Sequence, residues 1–221
     1  MLHVWHSHMN HLADRSMAPR KTPRQARSVL TVDAVFEATL QVLLSHGLAD
    51  LTTTRVAERT GVSVGTLYQY FPNKQVLLHA VLERHLNRLA QAMEAVCRQS
   101  HRQPLDRMVE NVVQAFVDAK TARVEEARAL YRAAAELDAS ALVGRTSERM
   151  REALCAMLAT AADRCFEDLP LATFMVLSAM VGPTRAVLEG GGPPEIVAAL
   201  RGELVTLCQG YLDRVSAART A

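Results

Sequence analysis

Aromatic side chains are scarce in this 221-residue sequence: they make up 5% of it, and tryptophan occurs once. Alanine, leucine, valine and arginine are abundant instead, and this bias favours helices over strands. The length is sufficient for one or two modest domains with an apolar core. The formal net charge is only +2, so the total charge by itself does not indicate a nucleic-acid partner.

The sequence also lacks long apolar runs and a close-spaced cysteine framework. No run approaches the roughly 20 apolar residues that a membrane span requires, and the N-terminus lacks the apolar core of a secretory signal. The cysteines lie singly inside long helical patterns, at Cys97, Cys155, Cys165 and Cys208. This usage is typical of a reduced protein, and we predict a cytoplasmic protein with no membrane partner.

Sequence motifs of enzymes are missing as well. There is no glycine-rich phosphate loop, no HExxH, no nucleophile in a recognisable setting and no carboxylate pair with acid–base spacing. Cys97 and His101 are spaced i, i+4, but no further ligand follows nearby, so this pair does not indicate a metal site. We therefore expect no enzymatic activity, no cofactor and no metal.

Residues 1–26 differ in character from the rest of the chain. The first part contains His3, His6, His8 and His11. It is either a metal-binding tract or a disordered leader translated from a start upstream of Met17, and its composition favours the leader. A basic arm with Arg20, Lys21, Arg24 and Arg27 follows. Such an arm either reaches DNA phosphates or a minor groove or is a solubilising tail.

The stretch from Thr52 to Lys74, TTTRVAERTGVSVGTLYQYFPNK, has the spacing of a helix-turn-helix. Apolar periodicity predicts a preceding helix from about Thr31, its N-cap, to His46. A second helix over Thr53–Thr60 is followed by Gly61, which can take the positive φ of a sharp turn. A third helix over Ser63–Phe71 would then enter the DNA major groove.

The predicted third helix has one face for packing and one for DNA. At 100° per residue, Val64, Leu67 and Phe71 share the face that should pack on the first two helices. Glycine in a helix costs about 1 kcal/mol relative to alanine, which is understandable at Gly65 if a DNA backbone approaches closely. Gln69 can read an adenine edge and Thr66 can touch a thymine methyl. The outward set is Ser63, Gly65, Thr66, Gln69 and Tyr70, with Tyr68 at the boundary.

Some of these positions have structural alternatives. Ser63 is also a good N-cap, and Tyr68 or Tyr70 can simply complete the small core. Thr53 belongs to a threonine run at a positive helix end that suits a phosphate, although Thr52 or Thr53 can equally cap the helix. Lys74 stands in the first turn of the next helix, where a cation is unfavourable. An external phosphate explains that placement better.

Residues from about Arg27 to Leu86, a quarter of the chain, resemble the DNA-binding domain of the TetR family of bacterial repressors. The run TLYQYFPNK, with Leu77 and Leu78 after it, is close to a signature of that family. The resemblance implies phosphate or base contacts at Thr53, Ser63, Gly65, Tyr68, Gln69, Tyr70 and Lys74. A two-fold dimer of such DNA-binding domains would suit a palindromic double-stranded operator.

The remainder of the sequence is helical in pattern. We expect a long helix from Asn73 to about Arg98 that bridges two domains, two helices within 105–138, and further helices at 140–168, 170–188 and 195–214. The predicted fold class is all-α, with an N-terminal three-helix helix-turn-helix domain joined by the long helix to a C-terminal helical ligand-binding and dimerisation domain. The predicted segments are 1–26 (leader and arm), 27–86 (DNA-binding) and 87–221 (effector-binding and dimerisation).

The last two helices have more apolar surface than one core needs, which predicts a partner surface. The resemblance implies that they form a four-helix homodimer interface near 170–188 and 195–214. It also implies a small-molecule effector, of unknown identity, that moves the long helix and releases DNA. Candidate pocket residues, expected on inward faces, are Phe116, Tyr131, Met157, Phe174, Met175 and Met180; core packing is the alternative for each.

The leading hypothesis is therefore a ligand-released transcriptional repressor. The alternative is a helix-turn-helix protein controlled by a partner protein or by cysteine oxidation rather than by a small effector.

Overall fold

The structure is a computed structural model and describes residues 26–219. The histidine-rich leader and the arm residues Arg20, Lys21 and Arg24 lie outside this range, so both interpretations of each remain predictions. Arg27 lies inside the first helix.

Helices make up nearly all regular structure of the described residues, which confirms the all-α class. They are α1 (Ala26–His46), α2 (Thr53–Thr60), α3 (Val64–Tyr70), α4 (Lys74–Gln99), α5 (Leu105–Thr121), α6 (Val124–Glu136), α7 (Ser140–Leu158), α8 (Leu169–Gly190) and α9 (Pro194–Val215). Two short strands, β1 (Arg164–Phe166) and β2 (Ser216–Ala218), form an antiparallel ribbon.

The chain forms two compact units. Within the described range, the first unit comprises residues 26–84 and 129–139, and the second comprises 85–128 and 140–219. The division on α4 falls after Arg84, two residues before the predicted boundary. Residues 129–139, expected in the C-terminal domain, belong instead to the first unit.

Helix α1 is longer than predicted, since it already includes Ala26 and contains Thr31 in its interior. The prediction of Thr31 as N-cap was therefore wrong. No proline or glycine separates Ala26 from Thr31, so helix propensity outweighs the capping preference of a single threonine. The apolar periodicity that predicted this helix corresponds to a buried side, on which Val35, Phe36 and Leu43 lie.

Helix α7 is shorter than predicted. It ends at Leu158 rather than near residue 168, and Cys165, expected within that helix, lies exposed in β1. The chain after α7 is bonded to the start of α5: the Asp163 carboxylate accepts a 2.8 Å hydrogen bond from the Leu105 N–H. Strands of three residues paired across about fifty positions leave no periodicity in the sequence.

The core of the second unit is built from α4, α5, α7, α8 and α9. Helix α5 lies at its centre, with Met108, Val113 and Phe116 fully buried. Helix α8 contributes Val176 and Met180 from one side. The buried residues of α5 recur at helical spacing, in agreement with the helix expected in this part of the sequence.

Helix α8 corrects the expectation that no run approaches a membrane span. Its segment Leu169–Leu188 has a mean hydropathy of 1.5 over a length sufficient to cross a bilayer. This property rests on length and composition only, and core helices of soluble proteins share it. Part of the segment, 39%, is buried within the protein.

Candidate nucleic-acid interface

The turn between α2 and α3 has the predicted geometry. Thr52 caps α2, since its hydroxyl oxygen accepts a 3.2 Å hydrogen bond from the Arg55 N–H. Gly61 has φ 73°, a backbone conformation that residues with a Cβ rarely adopt. The Val62 N–H donates to the Ala57 carbonyl at 3.1 Å and closes the turn. The Gly61 backbone and this hydrogen bond define the turn that leads from α2 into α3.

Helix α3 packs through Leu67 and Phe71, which are 0% and 1% exposed. Val64, expected on the same face, is 36% exposed, so that prediction was wrong. It occupies the first helical position, where the side chain points back toward the N-terminal end of the helix rather than into the core.

The outward side of α3 contains the residues predicted for DNA contact. Gly65, Tyr68 and Gln69 are exposed, while Thr66 and Tyr70 are half-buried. Ser63 is the N-cap: its hydroxyl oxygen accepts from the Thr66 N–H at 3.0 Å. The Ser63 and Thr66 hydroxyls also lie 2.8 Å apart within hydrogen-bonding distance. Ser63 therefore caps the N-terminus of α3, as the structural alternative for this residue predicts.

Thr53 and Tyr68 form one unit across the two helices. The buried Thr53 hydroxyl donates to the Tyr68 phenol oxygen at 3.2 Å. Tyr68 is 43% exposed, so it does not complete the core. Because the phenol oxygen accepts this bond, its own proton is available for an outside acceptor such as a phosphate.

Tyr70 occupies an intermediate position at the end of α3. Its ring centroid lies 6.3 Å from that of Phe71, and the side chain is half-buried. The packing alternative thus accounts for part of Tyr70, while part of the residue remains accessible.

Lys74 has a partner that the sequence did not indicate. Its ammonium Nζ donates to the Leu48 carbonyl at 3.2 Å, in the loop between α1 and α2. Asn73 caps α4 as predicted, since its side-chain oxygen accepts from the Val76 N–H at 2.9 Å. An ammonium has three donors, so the bond to Leu48 orients Lys74 and leaves donors for an anion.

Two cations of α2 were given no role by sequence reasoning. Arg55 is exposed and lies 3.5 Å from the Asp50 carboxylate. Exposed Arg59 donates to the Gln41 side chain on α1 at 2.8 Å. Their only signal in the sequence is a position on the polar side of α2, which does not separate a DNA contact from a surface interaction.

The six pocket candidates do not come together. Phe116, Met157 and Met180 are buried in the core of the second unit. Phe174 and Met175 are 56% and 43% exposed, so the expectation that they face inward was wrong. A nearly uniform apolar helix has no polar face to reveal its buried side.

Tyr131, the sixth candidate, is half-buried and belongs to the first unit. Arg128 on the same helix forms an ion pair with Glu125 at 2.8 Å.

A small apolar cavity lies between α5, α7, α8 and α9. Its accessible volume is about 10 Å³, close to the minimum that holds one water molecule. Met157 and Met180 line it, and all ten lining side chains are apolar.

The four cysteines are free and differ in accessibility. Burial raises the pKa of Cys97 to about 12 and that of Cys208 to about 11. Both therefore remain thiols, which are poor nucleophiles. Among the four, Cys165 is the one that is exposed. The alternative of control by cysteine oxidation is therefore supported by the accessibility of a single thiol.

Two family models match the chain. The model described as "Bacterial regulatory proteins, tetR family" matches residues 35–81, which include α2 and α3. The model described as "Tetracyclin repressor-like, C-terminal domain" matches residues 104–212. The second match covers the part of the chain for which the sequence alone had indicated only helices.

Curated relatives are similar to this chain over a short stretch. The transcriptional repressor DrrR1 of Streptomyces coeruleorubidus is 38% identical over 65 residues, which are 29% of this chain and 24% of that protein. The class C tetracycline repressor of Escherichia coli is 44% identical over 54 residues, 24% of this chain and 25% of that protein. The alignments thus span about a quarter of the relatives' length.

Solved structures share the fold over most of their length. A TetR-family transcriptional regulator from Mesorhizobium loti superimposes with a TM-score of 0.69 at 17% identity, covering 86% of this chain and 98% of that one. The regulator FadR of Bacillus subtilis, in complex with stearoyl-CoA, gives 0.62 at 15% identity, covering 80% and 96%. At these identities the likeness concerns the fold.

Replacement of Gly65 separates folding from DNA contact. A Cβ at this position would meet only the Ser63 hydroxyl, at 3.9 Å, so Gly65→Ala should raise the thermal stability slightly through helix propensity. If a DNA backbone approaches Gly65, the same change should weaken DNA binding roughly tenfold or more, as expected for overpacking.

Gly144→Ala is the matched control, because Gly144 is an exposed helical glycine on α7 with no atom near its Cβ position. Melting curves and DNA titrations of both variants decide the matter. DNA affinity that is unchanged in Gly65→Ala would contradict the close approach.

Proposed function

The chain belongs to the TetR family of bacterial DNA-binding transcriptional regulators, and we propose that it is a cytoplasmic repressor that binds a palindromic operator as a homodimer and is released by a small molecule. One observation carries the DNA-binding part: burial of Leu67 on α3, and of Phe71 at its C-terminal end, leaves a face on which Gly65, Tyr68 and Gln69 are exposed together. Such a face fits a major groove.

The residues of this face divide into two roles. Tyr68, held by Thr53, and Lys74, held by the Leu48 carbonyl, present donors to phosphates and fix the register of the protein on the duplex. Gln69 is exposed at the centre and suits an adenine edge. Tyr70 and Thr66 flank it with partly accessible side chains.

Selection of bound sequences from random DNA, followed by titration of two variants, tests the assignment. Lys74→Ala should weaken binding to all sequences and lower the salt slope by about 1, because one phosphate contact is lost. Gln69→Ala should relax the preference at one base pair in each half-site. A palindrome is the expected selection product.

Ser45→Ala is a suitable control, because Ser45 is exposed at the end of α1 and bonds only within its own turn. Wild-type affinity and salt slope in Lys74→Ala would contradict the proposed phosphate contact.

Dimerisation is supported by the apolar surface of the last two helices. Leu171, Phe174 and Met175 form an exposed stripe on α8, and Ile196 and Leu207 are about half exposed on α9, which packs beside α8. In a dimer with a two-fold axis, this patch would contact the same patch of the second copy. Each of these side chains would then be buried in the interface once from each subunit.

A charge in this patch tests the dimer. Phe174→Glu should weaken self-association roughly 100-fold, because a carboxylate without a partner would be buried in each copy. Analytical ultracentrifugation gives the association constant. Val143→Glu, a comparably exposed apolar residue on α7, is the matched control and should remain associated; equal constants for Phe174→Glu and wild type would contradict the interface.

The cavity in the second unit supports an effector with a hydrocarbon chain. All its lining side chains are apolar, so a polar ligand group would find no hydrogen bond there. The cavity is far smaller than a typical ligand pocket of 300 Å³ or more, and therefore it must open. Met157 and Met180 have flexible, unbranched side chains suited to such a change.

Stearoyl-CoA is a suitable first probe, since it is the ligand in the complex of Bacillus subtilis FadR. It should lower the affinity for the selected DNA, whereas coenzyme A without the acyl chain should not. Met180→Ile stiffens the cavity wall at similar volume and should reduce this response.

Met108→Ile makes the same change at a buried position of α5 outside the cavity and should respond like wild type. DNA affinity that is unaffected by acyl chains would contradict the hydrocarbon effector and leave repression by DNA binding intact.

A further inference from the structure

Arg84 connects α4 with α1 and is the last residue of α4 that belongs to the first unit. Its Nη1 atom lies 3.2 Å from the Asp33 carboxylate, and its Nη2 atom donates to the Glu37 carboxylate at 3.4 Å. Both acids lie on α1 one turn apart, so a single guanidinium spans two successive turns of that helix.

The same guanidinium lies over an aromatic ring. Its central carbon is 5.3 Å from the centroid of Phe36, within the range of a cation–π contact. The Phe36 ring is in turn 5.6 Å from that of Phe71. Phe71 is buried and ends α3, since its N–H donates to the Leu67 carbonyl at 2.9 Å.

A continuous series of contacts therefore runs from α4 through α1 to the end of α3, the helix with the DNA-facing residues. We propose that Arg84 is a positioning residue for DNA binding, which holds α1 against α4 and thereby sets the orientation of α3. This inference rests on the proposed DNA-binding role of α3. In the proposed role, Arg84 acts through α1 and α3 and does not itself contact DNA.

The chemistry at this position requires an arginine. A planar guanidinium can bond two carboxylates at its edge while its face covers an aromatic ring, whereas a lysine ammonium is a point charge without such a face. Asp33 and Glu37 are about half exposed, and Arg84 is 22% exposed. Water can therefore replace the ion pairs when α4 shifts along α1, which makes the contact reversible.

The test uses DNA that the wild type selects from a random pool, and a non-specific duplex of equal length. Arg84→Met keeps the apolar stem and removes the fork, and it should lower affinity for the selected DNA about tenfold. Affinity for the non-specific duplex should not change, because phosphate contacts dominate it. Arg84→Lys should fall between Arg84→Met and wild type.

Arg98→Met is the matched control, since Arg98 is exposed in the last turn of the same helix and its removal changes the total charge equally. It should bind both duplexes as wild type does.

A double-mutant cycle identifies the route of the effect. With Phe36→Leu in place, Arg84→Met should cause less additional loss than it does alone, because the two residues act in one series of contacts. Melting curves of each variant show whether the fold is retained.

Several outcomes would overturn the proposal. Equal specific affinity of Arg84→Met and wild type would do so, as would fully additive losses in the cycle. A salt slope lowered by about 1 would identify Arg84 as a phosphate contact instead, and equal losses on both duplexes would indicate general destabilisation. A wild type that selects no sequence would remove the proposed operator and this inference together, whereas selection by the wild type with unaffected Arg84 variants would remove only the inference.

Discussion

Burial of Leu67 and Phe71 is the constraint on which the proposed DNA-facing surface depends. Helix α3 has seven residues, far fewer than a helix needs to be stable alone in water. Its shape therefore comes from the two side chains it inserts into the first unit, from the Ser63 cap and from the Gly61 turn. Because these anchors occupy one side, the opposite side is free to display Gly65 and Gln69.

The residues around α3 are oriented by bonds within the protein before any ligand arrives. Thr53 holds the Tyr68 phenol, and the Leu48 carbonyl holds the Lys74 ammonium. Such prior orientation reduces the entropy that binding would otherwise cost for long, flexible side chains. The series from Arg84 through Phe36 to Phe71 applies the same principle to the whole helix, since it relates the orientation of α3 to the position of α4.

The second unit has more apolar side chains than it buries in its core. Helix α8 buries Val176 and Met180 yet leaves Leu171 and Phe174 exposed. A single helix therefore serves an interior and an outer apolar patch. That double use also explains why its composition alone resembles a membrane span, and why Phe174 and Met175 could not be assigned to a side before the structure placed them.

The sequence by itself determined the helices with strong periodicity and clear ends, including the Thr53–Thr60 helix. These features depend on spacing, capping and backbone freedom, which are local properties. Tertiary structure alone decided which side of α8 faces inward, that Lys74 bonds to Leu48, that α7 ends at Leu158 and that Arg84 reaches Asp33, Glu37 and Phe36. The physical reason is that each of these depends on groups far apart in the chain, whose meeting no local pattern records.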